Sequence, residues 1–367
     1  MLEIKNVDYM DVPEIVIIGI GGGGNNALDR MIASNTSKVK YIAINTDVQV
    51  LNNCQAEVKI QIGEKLTKGY GAGAAPEIGE AAAIESEDEI RKAIEGADLC
   101  ILTCGMGGGT GTGAVPVVAK YCRDIGALTI AVVTMPFSFE SMPRILSAEN
   151  GIQKLRENVD TLLVIPNDKL IGMSEKQLLL EDAFLMADSV LKYTIEGITN
   201  IIYNRGVVNI DFNDLKTTLA NKGLGHLGIG TVDAGTSLLE AVKQAINSPL
   251  LDVSIVGATN LLINTCGKIN LITLNEAINY VRELVGGKVN VIWGTVANEA
   301  FDEDKIVVTL IATGMPETGK EGEMTVLAKE SAKIGPKSKT PAVATAHPGD
   351  VGIEIPSFLL NSINKRK

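Results

Sequence analysis

Two glycine-rich runs are the residues whose types and spacing most directly indicate chemistry. The first run is residues 21–24, and the second is residues 105–113, which read GMGGGTGTG. Backbone without Cβ atoms can wrap closely around an anion, and the N-terminus of a following helix adds positive partial charge. Each run therefore predicts a cradle for phosphate. The second run is the more specific signal, because Thr110 and Thr112 add hydroxyls that can donate to phosphate oxygens.

Both runs lie between a predicted strand and a predicted helix. Residues 14–18 and 98–103 are short apolar segments of the kind that forms buried strands in a parallel sheet. Parallel strands end at one edge of their sheet, so the two runs are expected to face a common crevice. The sequence has no GxxxxGK(S/T) motif and no lysine in either run. Backbone amides, hydroxyls, helix ends and a metal must therefore hold the anion.

The order of the segments predicts an α/β fold with two domains. Predicted strands, among them 40–45 and 161–166, alternate with predicted helices, among them 77–95, over roughly the first 170 residues. That alternation is typical of a doubly wound parallel sheet. A long apolar helix follows, and then a smaller α+β domain whose strands include 254–258. The predicted parts are a flexible N-terminus (1–14), the phosphate-binding domain (15–180), the central helix (181–204), the C-terminal α+β domain (205–316), a disordered linker (317–349) and a docking peptide (350–367).

Composition excludes several classes of function. The net charge of −11 opposes general binding to nucleic acid or anionic lipid. The five cysteines form no zinc pattern and are expected to be reduced core thiols, and no side chain is assigned as a metal ligand. The chain begins without a signal-peptide pattern and has no apolar run of about 18 residues. A cytoplasmic protein without direct membrane insertion is the expectation.

The stretch GGGTGTG resembles the signature loop of the tubulin family, in its bacterial FtsZ form. The resemblance continues in order over about residues 15–314, and the size and the tail favour FtsZ within the superfamily. The segments that carry it are VIIGIGGGGNNA (16–27), YIAINTD (41–47), GMGGGTGTGAVPVVA (105–119), TLLVIPND (161–168), NIDFNDL (209–215), NSPLLD (247–252) and IVVTLIATG (306–314).

The resemblance implies a GTP/GDP site in the domain at 15–180, with Mg²⁺. The residues implied to contact the phosphates and nucleoside are Gly22, Gly23, Gly24, Asn25 and Asn26, with Gly109, Thr110 and Gly111 of the signature loop and the segment 72–74 near the γ-phosphate. Glu140 and Arg144 match the ribose side. Phe184 and Asp188 are implied to meet guanine, because a phenyl face stacks on a purine and a carboxylate accepts from the guanine N1–H and N2–H₂ groups. Adenine lacks that pair of donors.

The same side chains also have ordinary structural interpretations. Phe184 is compatible with a core aromatic residue, and Asp188 with a solvated helix residue. Glu140 and Arg144 are four residues apart, the spacing of a common helical ion pair. Three segments depart from the family pattern: Met142–Pro143, residues 204–207, and His226.

Asp211 and Asp214 place two carboxylates three residues apart at a predicted helix start, where N-capping alone would explain them. The resemblance implies a catalytic role instead. In FtsZ this loop enters the nucleotide site of the next subunit. The two carboxylates would then polarise the water that attacks the γ-phosphate, while Mg²⁺ spreads the developing charge.

The implied function is a self-assembling GTPase that forms head-to-tail filaments of the bacterial cell-division ring, in the cytoplasm beneath the membrane. Its implied partners are copies of itself and, through residues 350–367, membrane-tethering adaptors and division regulators. One alternative is a NAD-dependent Rossmann-type oxidoreductase, with Asp47 as the ribose-binding acid. Another is a nucleotide-binding scaffold without hydrolysis, which would require the loss of Asp211 or Asp214, and both are present.

Overall fold

The structure is a computed structural model that describes residues 13–34, 39–171, 179–203, 211–233, 235–251, 254–267, 269–286, 289–296 and 305–315. Several predicted features lie outside the described residues. These are most of the N-terminus, the segment 204–207, the linker at 317–349 and the docking peptide at 350–367.

The described residues form ten strands and twelve helices. The strands are β1 (Ile15–Ile20), β2 (Lys40–Asn45), β3 (Val58–Gln61), β4 (Leu99–Gly105), β5 (Leu128–Met135), β6 (Thr161–Pro166), β7 (Gly223–Asp233), β8 (Asn260–Cys266), β9 (Asn290–Val296) and β10 (Lys305–Thr313). The helices are α1 (Gly21–Ser34), α2 (Val48–Asn53), α3 (Glu64–Thr67), α4 (Pro76–Glu85), α5 (Glu87–Ile94), α6 (Thr110–Asp124), α7 (Met142–Arg156), α8 (Asn167–Ile171), α9 (Leu180–Tyr203), α10 (Phe212–Leu219), α11 (Leu238–Ile246) and α12 (Leu271–Val285). None of the helices in the described part is long and apolar enough to cross a bilayer.

The first seven strands form a parallel sheet in the order β3-β2-β1-β4-β5-β6-β7. Strand β1 is buried on both faces, so its alternate side chains enter two different cores. Ile15 and Ile17 face a core shared with α1, α9 and α10, and Val16 and Ile18 face one shared with α4–α7. Helices on both faces of a parallel sheet are the predicted doubly wound arrangement. All five cysteines are buried free thiols, as expected.

Strand β7 connects this sheet to the strands of the second half. Its first three residues pair in parallel with β6, and the stretch from His226 to Asp233 pairs antiparallel with β10. Strands β8 and β9 extend the sheet beyond β10. Helix α11 packs closely on β7, because a Cβ at Gly228 or Gly230 would lie 2.1 or 2.0 Å from a backbone oxygen of that helix. His226 stands opposite Ala312 in this pairing.

Two secondary-structure predictions are wrong. Residues 254–258 form a turn rather than a strand, because the Ser254 hydroxyl accepts from the Val256 amide and Gly257 has a φ of +96°. The missed strand is β8, whose two asparagines weaken its β pattern. The helix predicted at 77–95 is interrupted at Ser86, whose hydroxyl accepts from the Gly63 amide.

Helix α9 runs from the carboxyl ends of the parallel strands to their amino ends. Near its start, the Phe184 ring meets Phe137, which follows the carboxyl end of β5, with centroids 5.2 Å apart. At its end, the Tyr203 hydroxyl donates to the Pro13 carbonyl just before β1, at 3.0 Å. A helix of 24 residues is roughly 36 Å long. The central helix therefore carries the chain from the carboxyl edge of the parallel strands to their amino edge.

Candidate nucleotide site

The first glycine run forms the turn that joins β1 to α1 and the first turn of α1 itself. Gly21 has a φ of +73°, which only glycine adopts without strain. A Cβ at Gly21 would lie 2.8 Å from the Gly111 amide nitrogen, and a Cβ at Gly24 would lie 2.4 Å from the Thr103 carbonyl oxygen. The first run therefore packs its backbone directly against β4 and the second run. The two glycine runs face one crevice, as predicted.

The second glycine run connects β4 to α6 and is shaped by its own hydroxyls. The Gly107 amide donates to the Thr112 hydroxyl at 2.8 Å, and Thr112 is buried. The Thr110 and Thr46 hydroxyl oxygens are 2.6 Å apart. The expectation that Thr112 donates to phosphate is therefore not supported, because its hydroxyl faces inward and fixes the loop. Thr110 remains at the start of α6, half buried.

The glycine backbone at the mouth of the crevice has free space beside it. A Cβ at Gly22 or Gly108 would meet no atom within 4 Å. Helices α1 and α6 begin at this edge, so the unpaired N–H groups of their first turns add positive partial charge there. Asn26, one turn after Gly22, is exposed on α1. The arrangement suits an anion held by backbone amides.

The buried side chain of Asn25 holds the first glycine run in place from the protein interior. Its side-chain amide donates to the Gly19 carbonyl at 2.8 Å, and its Oδ1 accepts from the Asn45 amide at 2.7 Å. Asn25 is buried, so its side chain positions the loop and leaves contact with a ligand to the backbone. Asp47, at the end of β2, caps helix α2 by accepting from the Gln49 and Val50 amides. That bonding gives Asp47 a structural role in place of the ribose-binding role of the oxidoreductase alternative.

A third loop covers the second run. A Cβ at Gly109 would lie 2.8 Å from the Ala75 amide nitrogen and 2.9 Å from the Ala72 side chain. Gly73 and Ala74 have φ values near +60°, so the loop turns sharply there. The segment 72–74, predicted to lie near the γ-phosphate, is in contact with the signature loop.

Glu140 and Arg144 lie beside the second run on the segment that follows β5. Their carboxylate and guanidinium are 3.1 Å apart, and the other Glu140 oxygen accepts from the Phe137 amide at 2.9 Å. A Cβ at Gly107 would lie 2.8 Å from the Arg144 carbonyl oxygen, so the start of α7 rests on the glycine run. The ion pair predicted from the spacing is present, and it borders the crevice.

Ser141 carries the unusual backbone of this segment, between Glu140 and the Met142–Pro143 departure. Its φ of +147° with a ψ of 151° is a region that glycine occupies and side chains avoid. Met142 and Pro143 themselves form the regular first turn of α7, where proline is tolerated. The structural departure in this turn is therefore at Ser141.

We expect Ser141→Gly to raise the free energy of unfolding by about 1 kcal/mol, because it removes a strained φ that glycine adopts freely. Denaturant unfolding followed by circular dichroism measures the change. The matched control is Ser138→Gly, which makes the same substitution three residues earlier, at a position without a positive φ. Equal destabilisation by both changes would contradict the assignment.

Phe184 and Asp188 lie one helical turn apart on α9. Phe184 is 40% exposed and meets the Phe137 ring edge-on. The Asp188 Oδ2 is 3.0 Å from Nε of Arg30 on α1. Burial raises the pKa of Asp188 from 3.8 to about 6, against the opposing effect of Arg30. A half-exposed ring and a partly buried carboxylate thus stand at the carboxyl edge of the sheet.

Asn167 is a polar residue at this edge that the site predictions missed. It follows β6 directly and is buried, and its Oδ1 has no hydrogen-bond partner among the described residues. A buried acceptor without a partner is costly, so such an atom is often completed by a ligand or water. The signal was available, because Asn167 stands at a predicted strand end within the quoted segment TLLVIPND.

Asp211 and Asp214 are far from the glycine runs within the chain. Asp211 caps α10, with its Oδ1 accepting from the Asp214 amide at 2.8 Å, and both residues are exposed. The last residue of α10 is tied to the first residue of β6, because the Thr161 hydroxyl donates to the Leu219 carbonyl. The chain reaches this segment from Tyr203, which is also anchored at the amino edge of the sheet. The two carboxylates therefore lie between two points of the chain that are both anchored at the edge opposite the crevice.

Comparison with known proteins identifies the family. Residues 14–175 match the model of the Tubulin/FtsZ family GTPase domain, and residues 223–316 match the FtsZ family C-terminal domain. An FtsZ dimer from M. jannaschii, solved empty, is 43% identical, with 82% of this chain and 88% of that chain covered and a TM-score of 0.79. The chain belongs to the tubulin/FtsZ family. GDP-bound CetZ1 from Haloferax volcanii, 22% identical over 87% of this chain and 99% of its own, shares the fold with a TM-score of 0.72.

Membership of the tubulin/FtsZ family confirms the predicted fold class and the predicted activity. The chain is a GTPase, and its first domain binds GTP and GDP. The match to a GTPase domain and the capping role of Asp47 together rule against the NAD-dependent oxidoreductase. The glycine runs lie within the matched GTPase domain, and β8, β9 and β10 lie within the matched C-terminal domain.

Proposed function

We propose that this tubulin/FtsZ-family GTPase assembles head to tail, and that GTP is hydrolysed where two subunits meet. The observation that carries the proposal is the placement of Asp211 and Asp214 at the amino edge of the sheet, opposite the glycine runs. Neither carboxylate can serve the crevice of its own chain. Two exposed carboxylates and a phosphate cradle on opposite edges become one site when a second copy stacks in the same orientation.

Exposed apolar side chains at the crevice edge support such a contact. Of the sixteen large hydrophobic residues that are exposed in the described part of the chain, nine follow the carboxyl ends of β3, β5 or β6. The most exposed of them are Tyr70, Leu179 and Met142, at 87%, 72% and 65%. Clustered apolar surface around a polar site is typical of a protein interface. Among the solved relatives, an FtsZ from M. jannaschii is described as a dimer and a CetZ2 from Haloferax volcanii as a GTPγS-bound protofilament.

Each part of the nucleotide has a proposed contact. The phosphates rest on backbone amides of Gly22, Gly23, Gly24, Gly109 and Gly111, with Asn25 and Asn26 behind them and Thr110 at the start of α6. Glu140 and Arg144 contact the ribose side. The Phe184 face stacks on guanine, while Asp188 accepts from its N1–H and N2–H₂ groups, and Asn167 Oδ1 is a further acceptor at this edge.

Asp211 and Asp214 act on the water. Ionised carboxylates only accept hydrogen bonds, so they can orient a water and draw its proton as the oxygen approaches the γ-phosphate. Among the described residues, no group of three acidic, histidine or cysteine side chains could hold a metal. The site is therefore compatible with an Mg²⁺ ion that would be held mainly by phosphate oxygens and water. There the ion would offset charge on the phosphates.

The cellular role proposed is the bacterial cell-division ring, in the cytoplasm beneath the membrane. Residues 350–367 would dock on membrane-tethering adaptors and division regulators, so the adaptor contact, rather than insertion of this chain, would place the filament at the membrane. Deleting 350–367 is expected to leave GTP hydrolysis intact and abolish adaptor binding in a pull-down. Retained adaptor binding would refute the assignment.

The proposal is tested by phosphate release together with light scattering, across protein concentration, with GTP and ATP. A shared site requires that activity per molecule rise with protein concentration, in step with scattering, and that it require GTP and Mg²⁺. ATP should support neither, because adenine does not present the donors that Asp188 accepts. Activity strictly proportional to protein concentration would mean that one subunit holds a complete site.

A further inference from the structure

The side chain of Arg30 links α1, which would hold the phosphates, to α9, which would hold the base. It lies on α1, the helix whose first turn is the first glycine run, and its Nε is 3.0 Å from Oδ2 of Asp188 on α9. Gly22, Asn26 and Arg30 are spaced four residues apart, so they line one face of α1. That face starts at the open backbone of Gly22 and ends at the carboxylate of Asp188.

We propose that Arg30 is a positioning residue for guanine recognition, which keeps the Asp188 carboxylate ionised and turned toward the base. The proposal rests on the proposed contact between Asp188 and guanine, and it adds a residue that the family motifs did not single out. Arg30 would act on the base through Asp188 rather than by touching it.

The geometry leaves Asp188 able to accept from guanine while it is paired. A carboxylate has about four acceptor positions, and Arg30 occupies one of them at Oδ2. In the described part of the chain, Arg30 is the one side chain that hydrogen-bonds and pairs with this carboxylate. A single partner residue can orient the Asp188 side chain and still leave acceptor positions on the carboxylate for the N1–H and N2–H₂ groups of guanine.

The environment of Asp188 explains why a counter-ion is needed. The Asp188 side chain is only 15% exposed, whereas that of Arg30 is 35% exposed and reaches solvent. Phe184, one turn earlier on α9, is neutral, and Arg30 from α1 is the charged group that acts on Asp188 in the described part of the chain. With Arg30 present, burial already raises the pKa of Asp188 to about 6.

Loss of Arg30 should therefore raise that pKa further, toward neutrality. A protonated carboxyl group carries an O–H donor that opposes the N1–H donor of guanine, so affinity is lost as the pH falls through the pKa. The ionised form binds, and binding is therefore retained above the pKa. The consequence is a pH profile, which a purely structural role for Arg30 would not produce.

The test measures GDP and XDP affinity of the full chain between pH 6 and 8, for wild type, Arg30→Met and Arg30→Lys. For the wild type we expect GDP affinity to change little from pH 8 to pH 7. Arg30→Met should bind GDP about fourfold more weakly at pH 6.5 than at pH 8, because the ionised fraction of a carboxyl group that titrates near neutrality falls by about that factor over this range. Arg30→Lys keeps the charge and should restore most of the wild-type profile.

The Asp188→Asn variant distinguishes the positioning role of Arg30 from the proposed contact between Asp188 and guanine. In that background the carboxylate is gone, so Arg30→Met should leave the pH dependence of XDP binding unchanged. A wild-type pH profile for Arg30→Met, or an equal loss of affinity at every pH, would overturn the role of Arg30. Unchanged preference for GDP over XDP in Asp188→Asn would instead overturn base recognition by Asp188.

Discussion

Removing the carboxylates of Asp211 and Asp214 is expected to lower GTP turnover by at least about 100-fold, the usual contribution of a positioned acid or base. GTP binding should persist, because both residues lie at the edge of the sheet opposite the glycine runs. Phosphate release measures turnover, and a fluorescent GTP analogue measures binding.

The structure supplies the control that separates catalysis from capping. Asp211 Oδ1 accepts from the Asp214 amide, so Asp211→Ala removes the cap of α10 as well, at a cost of about 1 kcal/mol. Asp211→Asn keeps an oxygen for the cap and removes only the charge. Turnover should fall as far in Asp211→Asn as in Asp211→Ala, while unfolding should change only in the alanine variant. Normal turnover by Asp211→Asn would reduce Asp211 to a capping residue.

Complementation tests whether the carboxylates act on a neighbouring subunit. Gly22→Asp places a negative charge in the open mouth of the crevice, where a Cβ meets no atom, so it should exclude phosphate without disturbing packing. Mixed with the Asp211→Asn/Asp214→Asn double variant, it should restore activity that neither protein has alone. Each head-to-tail interface combines the glycine runs of one subunit with the carboxylates of the next. In a random equal mixture, about one quarter of the interfaces therefore pair intact glycine runs with intact carboxylates. A mixture as inactive as its components would argue for catalysis within one chain.

Asp188→Asn is expected to change nucleotide preference from GTP to XTP by at least about 100-fold. An asparagine amide donates as well as accepts, so it leaves the guanine N2–H₂ group opposite another donor, whereas xanthine presents an oxygen there. A buried polar group left unpaired costs enough to account for such a ratio. Competition between the two nucleotides for the fluorescent analogue measures the preference.

The matched control is Asp182→Asn, on the first turn of the same helix. It removes the same charge from α9 without touching the ion pair between Asp188 and Arg30, and GTP preference should be unaffected. Retention of GTP preference in Asp188→Asn would assign base recognition elsewhere, with Asn167 as the next acceptor at that edge.

Local sequence was enough to predict the phosphate cradle and most of the first domain. Strands β2 and β6 have the predicted bounds, and both glycine runs lie at strand ends, because apolar runs and glycine turns are encoded by adjacent residues. The second half was predicted less well. Strand β8 was missed, since its burial depends on pairing with β10 and β9 rather than on its own pattern.

The sequence by itself determined which residues could bind phosphate, because a glycine loop between a strand and a helix forms its site from contiguous backbone. Only the tertiary structure decided what the separated side chains do. It turned Asn25 and Thr112 inward and paired Arg30 with Asp188. Through the full length of α9, it also placed Asp211 and Asp214 at the far edge of the sheet. Those outcomes depend on contacts between residues distant in the chain, which no local pattern specifies.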